Sequence, residues 1–119
     1  GMRVLITGAG PIGLMTMYAA RASGATTVVV TDAVEAKLTA AQKLGAQHAF
    51  SAFTEDLPTV AASAAGGQFN VCFECSGVPA ALATCVSAAL SGGVVCVVAN
   101  YRDSSPPVPL QELARREID

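Results

Sequence analysis

The chain has 119 residues, the length of one domain, and 52% of them are hydrophobic while only 13% are charged. The formal net charge is −2 and no basic run occurs, so neither nucleic acid nor an anionic membrane is indicated as a partner. No stretch reaches the roughly 20 continuous apolar residues of a membrane span. So apolar a composition predicts strands that are buried on both faces, as in a parallel sheet.

In chain order the pattern alternates between strands and helices. Runs rich in apolar and β-branched residues predict strands over residues 3–7, 26–31, 48–50, 69–75 and 94–99. The segments between and after them predict helices over residues 11–22, 33–44, 54–65, 79–90 and 110–117. The residues that we expect to pack inward are Ile12, Met15, Met17 and Ala20 in the first helix and Leu38, Ala41 and Leu44 in the second.

Residues with strong positional preferences mark the predicted helix ends. Pro11 suits a first helical turn, because its missing N–H would be unpaired there anyway. Gly24 and Gly45 end the first two helices, and Gly92-Gly93 ends the fourth. Two short polar side chains should cap helix starts: Asp32 opens the second helix and Thr54 the third. Glu55 and Asp56 would then lie in the positive first turn of the third helix.

This alternation with short connections predicts an α/β domain over residues 1–119, built on a parallel sheet. Right-handed crossovers would place helices on both faces, which makes the sheet doubly wound, as in the Rossmann fold. Only five strands are predicted where that fold has six. We therefore expect the sixth strand to be truncated.

The turn Gly8-Ala9-Gly10-Pro11-Ile12-Gly13 matches the pattern G-x-G-x-x-G. It follows a predicted strand and opens a predicted helix, which is the context that a dinucleotide site requires. Gly8 permits the tight turn, Gly10 lets the backbone approach a pyrophosphate, and Gly13 lets the helix pack close to the sheet. The helix N-terminus favours an anion at this place. The alternative is a glycine-rich turn that only packs.

Asp32 ends the second strand roughly 20 residues beyond Gly13, where an acidic residue accepts hydrogen bonds from an adenosine ribose. Its charge would also repel a 2′-phosphate, so it predicts NAD rather than NADP as the cofactor. Lys37, one helical turn further, could reach the ribose from the same side. Asp32 could instead be only a helix cap, although capping and ribose binding can coexist. The alternative for Lys37 is a solvated surface side chain.

Further candidates follow from position in the sheet. The ligand cleft of an open α/β sheet lies at the carboxyl ends of its strands. This places Cys75, Ser76 and Gly77 after the fourth strand, and Ala99 and Asn100 after the fifth, near the cofactor.

Other residues with reactive side chains fit structural roles better. Cys72 and Cys75 have metal-ligand spacing, but residues an odd number apart in a strand point to opposite faces, so buried thiols are the preferred interpretation. His48, the only histidine, lies far from the expected nicotinamide end, and Glu74 favours a structural hydrogen bond. No residue is therefore assigned a catalytic or metal-binding role.

The four cysteines are expected to be reduced and the protein cytoplasmic, because no secretory signal is favoured. Arg3 precedes an apolar stretch, and residues 20–22 have the A-x-A spacing of a cleavage site. The glycines of the turn interrupt that stretch, however, and favour a strand, turn and helix.

Several segments resemble the zinc-containing medium-chain alcohol dehydrogenases, above all their polyol branch of sorbitol, xylitol, threonine and idonate dehydrogenases. These segments are VLITGAGPIGL at residues 4–14, Thr31-Asp32 with Lys37, AAQKLGA at 40–46, FECSG at 73–77 and VPLQELARREI at 108–118. The resemblance implies that the pyrophosphate is held by Gly8, Gly10, Pro11, Ile12 and Gly13. It implies that Asp32 and Lys37 hold the ribose. It further implies that Cys75 and Ser76 line the adenosine side, and that Ala99 and Asn100 belong to the loop near the nicotinamide.

The same resemblance implies the NAD(H)-binding domain of a homo-oligomeric enzyme that transfers a hydride between a nicotinamide cofactor and an alcohol or polyol. The family's zinc ligands lie in a separate catalytic domain that nothing here matches. The resemblance therefore implies that this chain is a fragment of a larger enzyme and should not oxidise an alcohol alone. Two alternatives are a non-catalytic nucleotide-sensing module and a methyltransferase fold that binds S-adenosylmethionine. Gly13 and Pro11 suit a diphosphate better than they suit S-adenosylmethionine, which argues against the methyltransferase fold.

Overall fold

The computed structural model describes all 119 residues and is built on a five-stranded parallel sheet. Its strands are β1 (Met2–Thr7), β2 (Ala25–Asp32), β3 (His48–Ser51), β4 (Phe69–Glu74) and β5 (Ala89–Val97). Its helices are α1 (Pro11–Ala22), α2 (Glu35–Lys43), α3 (Leu57–Ala65), α4 (Pro79–Ala88) and α5 (Leu110–Arg115). The strand order is β3-β2-β1-β4-β5, so the chain moves outward from β1 first in one direction and then in the other. The predicted α/β, doubly wound Rossmann fold is confirmed.

Each face of the sheet has its own apolar core. Because successive side chains of a strand point to opposite faces, Leu5 belongs to one core and Val4 and Ile6 to the other. On the first face α3 and α4 supply partners such as Leu57 and Val86. On the second face α1 and α2 supply Met17 and Ala41. The strands are therefore covered on both sides near β1 and β2, as their continuous apolar runs require.

The first helix has the predicted bounds but packs through a narrower face than expected. Met17 is fully buried, whereas Ile12 is 56% and Met15 65% exposed, so the prediction that these two residues pack inward is wrong. Residues four apart share one helix face, and α1 turns the face of Gly13 and Met17 toward the sheet. Leu44, which follows α2, is likewise exposed.

The expected caps of α2 and α3 are wrong. α2 begins at Glu35, and Asp32 lies three residues before it. The Thr54 hydroxyl donates to the Ser51 carbonyl at 2.7 Å instead of capping, and α3 begins at Leu57. A helix opened by Thr54 would have placed Pro58 beyond its first turn, where the ring clashes with the carbonyl four residues earlier.

The transition from α4 to β5 comes earlier than predicted. Ala89 is already extended, with φ −66° and ψ 140°, and pairs with Phe69, so the glycine pair expected to precede the strand lies within it. The strand also ends at Val97 rather than at Ala99.

The last residues of the chain continue the sheet beyond β5. The N–H of Asp119 donates to the Gly93 carbonyl at 3.0 Å, and the N–H of Val95 donates to the Asp119 carbonyl at 2.7 Å. Ile118 packs into the core on the α3 and α4 side. None of the helices combines the length and the apolar character that crossing a membrane demands.

Candidate dinucleotide site

The turn between β1 and α1 shows why each glycine stands where it does. Gly8 has a φ of +97°, a conformation that residues with a Cβ rarely adopt. At Gly13 an added Cβ would lie 1.8 Å from the Gly8 carbonyl oxygen, so only glycine lets α1 come this close to β1. At Gly10 an added Cβ would meet no atom within 4 Å, and the φ of −77° suits any residue. The backbone at Gly10 is therefore open, while the glycines before and after it are packed.

The N-terminus of α1 beside Gly10 suits an anion. No side chain caps this helix, and Pro11 has no N–H. The N–H groups of Ile12 and Gly13 lie in the first turn, where a helix offers them no carbonyl partner. Such N–H groups, together with the helix dipole, attract a phosphate.

Asp32 ties the glycine turn to the loop before α2. Its Oδ2 accepts the N–H of Ala9 at 2.8 Å, and its Oδ1 accepts the N–H of Val34 at 2.8 Å. The half-buried carboxylate is therefore held in one orientation at the end of β2, with lone pairs left for further donors. Lys37 is exposed in the first turn of α2 and lines the same cavity as Asp32.

One cavity of about 500 Å³ brings most of the predicted site residues together. The predicted residues that line it are Gly8, Gly10, Asp32, Lys37, Cys75 and Ser76. Pro11, Ile12 and Gly13 form the helix start beside Gly10, whereas Ala99 and Asn100 are outside the lining. The lining residues that were not predicted as site residues are Thr7, Thr31, Ala33, Ala52, Phe53, Leu57, Val78, Ala80, Ala81 and Thr84.

Phe53 is the most exposed large apolar side chain of the protein, at 82%, and it lines this cavity. A tight turn after β3 holds it there, because the N–H groups of Phe53 and Thr54 both bond Ser51, to its Oγ at 3.2 Å and its carbonyl at 3.0 Å. Val78, which precedes α4, adds a second exposed apolar side chain to the lining. The signal for Phe53 was available in the sequence: an aromatic residue just past the carboxyl end of a strand.

Cys75 and Ser76 follow β4 at the edge of the cavity. The N–H of Cys75 donates to the Thr7 carbonyl at 2.8 Å, which holds the ends of β4 and β1 together. Burial raises the pKa of the Cys75 thiol more than its hydrogen bond with Thr16 lowers it. A neutral thiol packs well but is a poor nucleophile.

Beside the cavity, the Glu74 carboxylate is fully buried. Its Oε1 accepts the Thr7 hydroxyl at 3.0 Å and both the N–H, at 2.7 Å, and the hydroxyl of Ser76. Its Oε2 accepts the N–H of Gly77 at 3.1 Å and the Tyr101 hydroxyl. Burial raises the pKa of this carboxyl, but the hydrogen bonds from Ser76, Tyr101 and Gly77 outweigh it and hold the pKa below its usual range. The structural hydrogen bond predicted for Glu74 is confirmed, whereas sequence reasoning missed Tyr101.

The segment after β5 lies against the loop after β4. The N–H groups of Val98 and Ala99 both donate to the Glu74 carbonyl, at 2.9 and 3.1 Å. Gly77 has a φ of +74°, and a Cβ there would lie 2.5 Å from the Asn100 carbonyl oxygen. Ala99 and Asn100 therefore lie against the loop after β4 and outside the cavity lining, so their place near the cofactor stays a prediction.

The remaining reactive side chains lie elsewhere. Cys72 packs in the core under α3 and α4, and Cys75 packs against the opposite core, as the odd spacing predicted. His48 stacks on Phe50 in β3, with ring centroids 6.3 Å apart. No three His, Cys, Asp or Glu side chains come together to hold a metal ion.

Comparison with known proteins identifies the family that this chain matches. The family model described as zinc-binding dehydrogenase matches residues 11–119. The chain is 38% identical over 121 residues to a sorbitol dehydrogenase of Arabidopsis thaliana, covering 98% of this chain and 33% of that protein. It is 38% identical over 122 residues to an L-idonate 5-dehydrogenase of Vitis vinifera, with the same shares covered. The chain thus spans about a third of the length of the curated relatives it matches.

A solved structure shares the whole arrangement. A protein from Sinorhizobium meliloti, described as a zinc-binding dehydrogenase bound to NADP, superposes with a TM-score of 0.89 at 28% identity. The match covers 99% of this chain and 36% of that one.

Proposed function

The chain belongs to the zinc-binding dehydrogenase family, and from this membership we propose that residues 1–119 are the NAD(H)-binding domain of a larger dehydrogenase. The observation that carries the proposal is the contrast within the glycine turn. The Cβ positions of Gly8 and Gly13 meet protein atoms, and only that of Gly10 meets empty space. A turn that served packing alone would have no use for a glycine facing an open cavity.

Each part of the dinucleotide has a place in the cleft. The N–H groups of Ile12 and Gly13 donate to the pyrophosphate at the helix N-terminus beside Gly10. The Asp32 carboxylate accepts the ribose hydroxyls, and the Lys37 ammonium donates to them from the same side.

The apolar part of the lining, at Phe53 and Val78, receives the flat face of the adenine. Cys75 and Ser76 border that adenosine half. Ala99 and Asn100 belong to the half that is toward β5, where the nicotinamide lies.

When bound, the nicotinamide cofactor supplies the hydride acceptor or donor, and this chain supplies binding and orientation. Zinc does not fit the residues present, because no group of His, Cys, Asp or Glu side chains converges in this chain to hold it. We propose that the complete enzyme is a cytoplasmic homo-oligomer that acts on an alcohol or polyol. Relatives named for sorbitol and L-idonate support that substrate class.

The cofactor choice rests on Asp32. The two backbone N–H groups that bind its oxygens hold the carboxylate at the ribose position. A 2′-phosphate placed there would meet a fixed negative charge at short range, so NAD is preferred over NADP. Family membership by itself leaves both cofactors open, since the Sinorhizobium relative was solved with NADP.

The decisive experiment is Gly10→Ala. The added methyl group occupies open space at an ordinary φ, so the midpoint of urea unfolding should not fall. The same methyl group keeps the pyrophosphate away from the backbone, so NAD affinity should fall at least about tenfold. Amide NMR shifts during an NAD titration measure the affinity.

Gly24→Ala is the matched control. It also faces open space, but at a φ of +98°. It should therefore cost about 1 kcal/mol of stability and leave NAD affinity unchanged. Normal NAD binding by Gly10→Ala would show that the pyrophosphate does not bind at this turn.

A further inference from the structure

The segment after β5 forms a short arch, residues 98–101, that is fastened to one residue at both ends. At one end, the N–H groups of Val98 and Ala99 donate to the Glu74 carbonyl. At the other end, the Tyr101 hydroxyl donates to the Glu74 carboxylate. Between these points the Asn100 carbonyl sits on Gly77, at a place with no room for a Cβ.

The Glu74 carboxylate can serve as an anchor because it is buried without any cation beside it. A buried charge of this kind is stable only when its lone pairs are satisfied, and no buried side-chain oxygen or nitrogen in the protein lacks a partner. Thr7, Ser76 and Gly77 supply donors from the ends of β1 and β4. Tyr101 is the donor that comes from the β5 side. One carboxylate thus joins three consecutive strand ends of the sheet, and Tyr101 alone brings the arch into that network through a side chain.

The order of the strands in the sheet determines which half of a dinucleotide would lie beside the arch. The strands run β3-β2-β1-β4-β5, with the proposed anion-binding turn after β1 and the proposed ribose acid Asp32 at the end of β2. A dinucleotide whose pyrophosphate lies after β1 and whose adenosine lies toward β2, bordered by the loop after β4, must extend its other half toward β5. The arch follows β5, so it stands beside the nicotinamide half and away from the adenosine half.

We propose that Tyr101 and Glu74 are positioning residues, whose hydrogen bond holds the arch in the shape that receives the nicotinamide half of the cofactor. This inference rests on the proposed function. The adenosine half, held by Asp32 and the glycine turn, does not depend on the bond. Loss of the bond should therefore weaken only those ligands that contain nicotinamide.

The test is Tyr101→Phe, which keeps the ring and removes the donor. NAD and ADP-ribose, which lacks the nicotinamide ring, are titrated into both proteins by calorimetry. The affinity for NAD should fall about tenfold, the effect of one lost hydrogen bond to a charged group, while that for ADP-ribose stays the same. Tyr18→Phe is the matched control, because Tyr18 is the only other tyrosine and is partly exposed on α1, outside the cavity lining. It should change neither affinity.

The outcomes separate this inference from the proposed function. Equal losses for NAD and ADP-ribose would make Tyr101 a support of the whole domain and overturn the positioning role, as would no loss for either ligand. If the unmodified protein bound NAD and ADP-ribose equally tightly, the arch would contribute nothing and the dinucleotide site would stand. If it bound neither, the proposed function itself would fail, and the inference with it.

Discussion

At the scale of single residues, Asp32 performs two tasks with one carboxylate. It orders the backbone at Ala9 and Val34, and it presents a fixed negative charge beside the proposed ribose position. Asp32→Ala should weaken all ligands somewhat through the first task, but only the second distinguishes NAD from NADP. The dissociation constant for NADP divided by that for NAD should therefore fall by about tenfold or more, toward unity. The reason is that the charge that repels a 2′-phosphate is gone.

Parallel titrations with NAD and NADP give that ratio directly. Glu35→Ala removes an exposed carboxylate from the first turn of the neighbouring helix and serves as the control. It should leave the ratio within about threefold of the unmodified protein, as expected for a solvated and screened charge. An unchanged ratio in Asp32→Ala would show that Asp32 does not select the cofactor.

Glu74 makes stability depend on pH. Burial raises its pKa, but hydrogen bonds from Ser76, Tyr101 and Gly77 prevail, so the folded-state pKa lies below the ordinary value of 4.5. A carboxyl whose pKa is depressed by folding stabilises the protein above its unfolded-state pKa and loses that contribution as the pH falls through the folded-state pKa. The free energy of unfolding should therefore decline below about pH 4.5.

Glu74→Gln should be less stable at pH 7 but should show a flatter decline in acid, because the neutral amide binds no proton. Urea unfolding at several values between about pH 7 and pH 3 measures both slopes. Parallel slopes for the two proteins would mean that other carboxyl groups carry the acid sensitivity.

At the scale of secondary-structure elements, the end of α4 is held by a side chain from beyond α5. The Arg116 guanidinium donates to the Val86 carbonyl at 2.8 Å and to the Ala89 carbonyl. These carbonyls lie at the C-terminus of α4, where a cation is also favoured by the helix dipole. Arg116→Met should cost about 1.5–3 kcal/mol, the range for hydrogen bonds to a charged group.

The adjacent arginine offers a matched control for that measurement. Both arginines pair with Glu112, but the Arg115 side chain is 69% exposed and that of Arg116 only 11%. Arg115→Met should change the free energy of unfolding by less than about 0.5 kcal/mol, as for most exposed ion pairs. Equal effects of the two substitutions would refute the role of Arg116 at α4.

At the scale of the whole molecule, one face of the sheet is incompletely covered. α1 and α2 cover β1 and β2, but between α1 and β4 lies an apolar groove of about 350 Å³. The groove is lined by Met2, Val4, Thr16, Ala19, Ala20, Ser23, Val71, Phe73 and Val98. Exposed apolar surface of this kind promotes association, so the protein should self-associate as its concentration rises.

Val98→Glu places a charge in that groove and should keep the protein monomeric. Its effect is specific if Leu110→Glu does not reproduce it, since Leu110 is 71% exposed on α5 and outside the groove. Sedimentation velocity over a concentration series distinguishes the two variants. A clean monomer at every concentration of the unmodified protein would contradict the prediction.

Local patterns in the chain were enough to predict much of this architecture. The alternation of strands and helices, the parallel sheet and the glycine turn all depend on residues close together in sequence, whose periodicity and conformational limits are visible without the fold. Element ends were predicted less well. Thr54 has the chemistry of a cap, but its hydroxyl bonds Ser51 and Pro58 prevents a helix from starting that early.

The sequence by itself therefore determined the fold class and the position of the glycine turn between the first strand and the first helix. Only the tertiary structure decided which distant side chains meet there. Asp32 reaches Ala9 across 23 residues, and Tyr101 reaches Glu74 across 27. Such contacts leave no periodic trace in the chain, because they exist only once a parallel sheet has gathered the carboxyl ends of its strands along one edge.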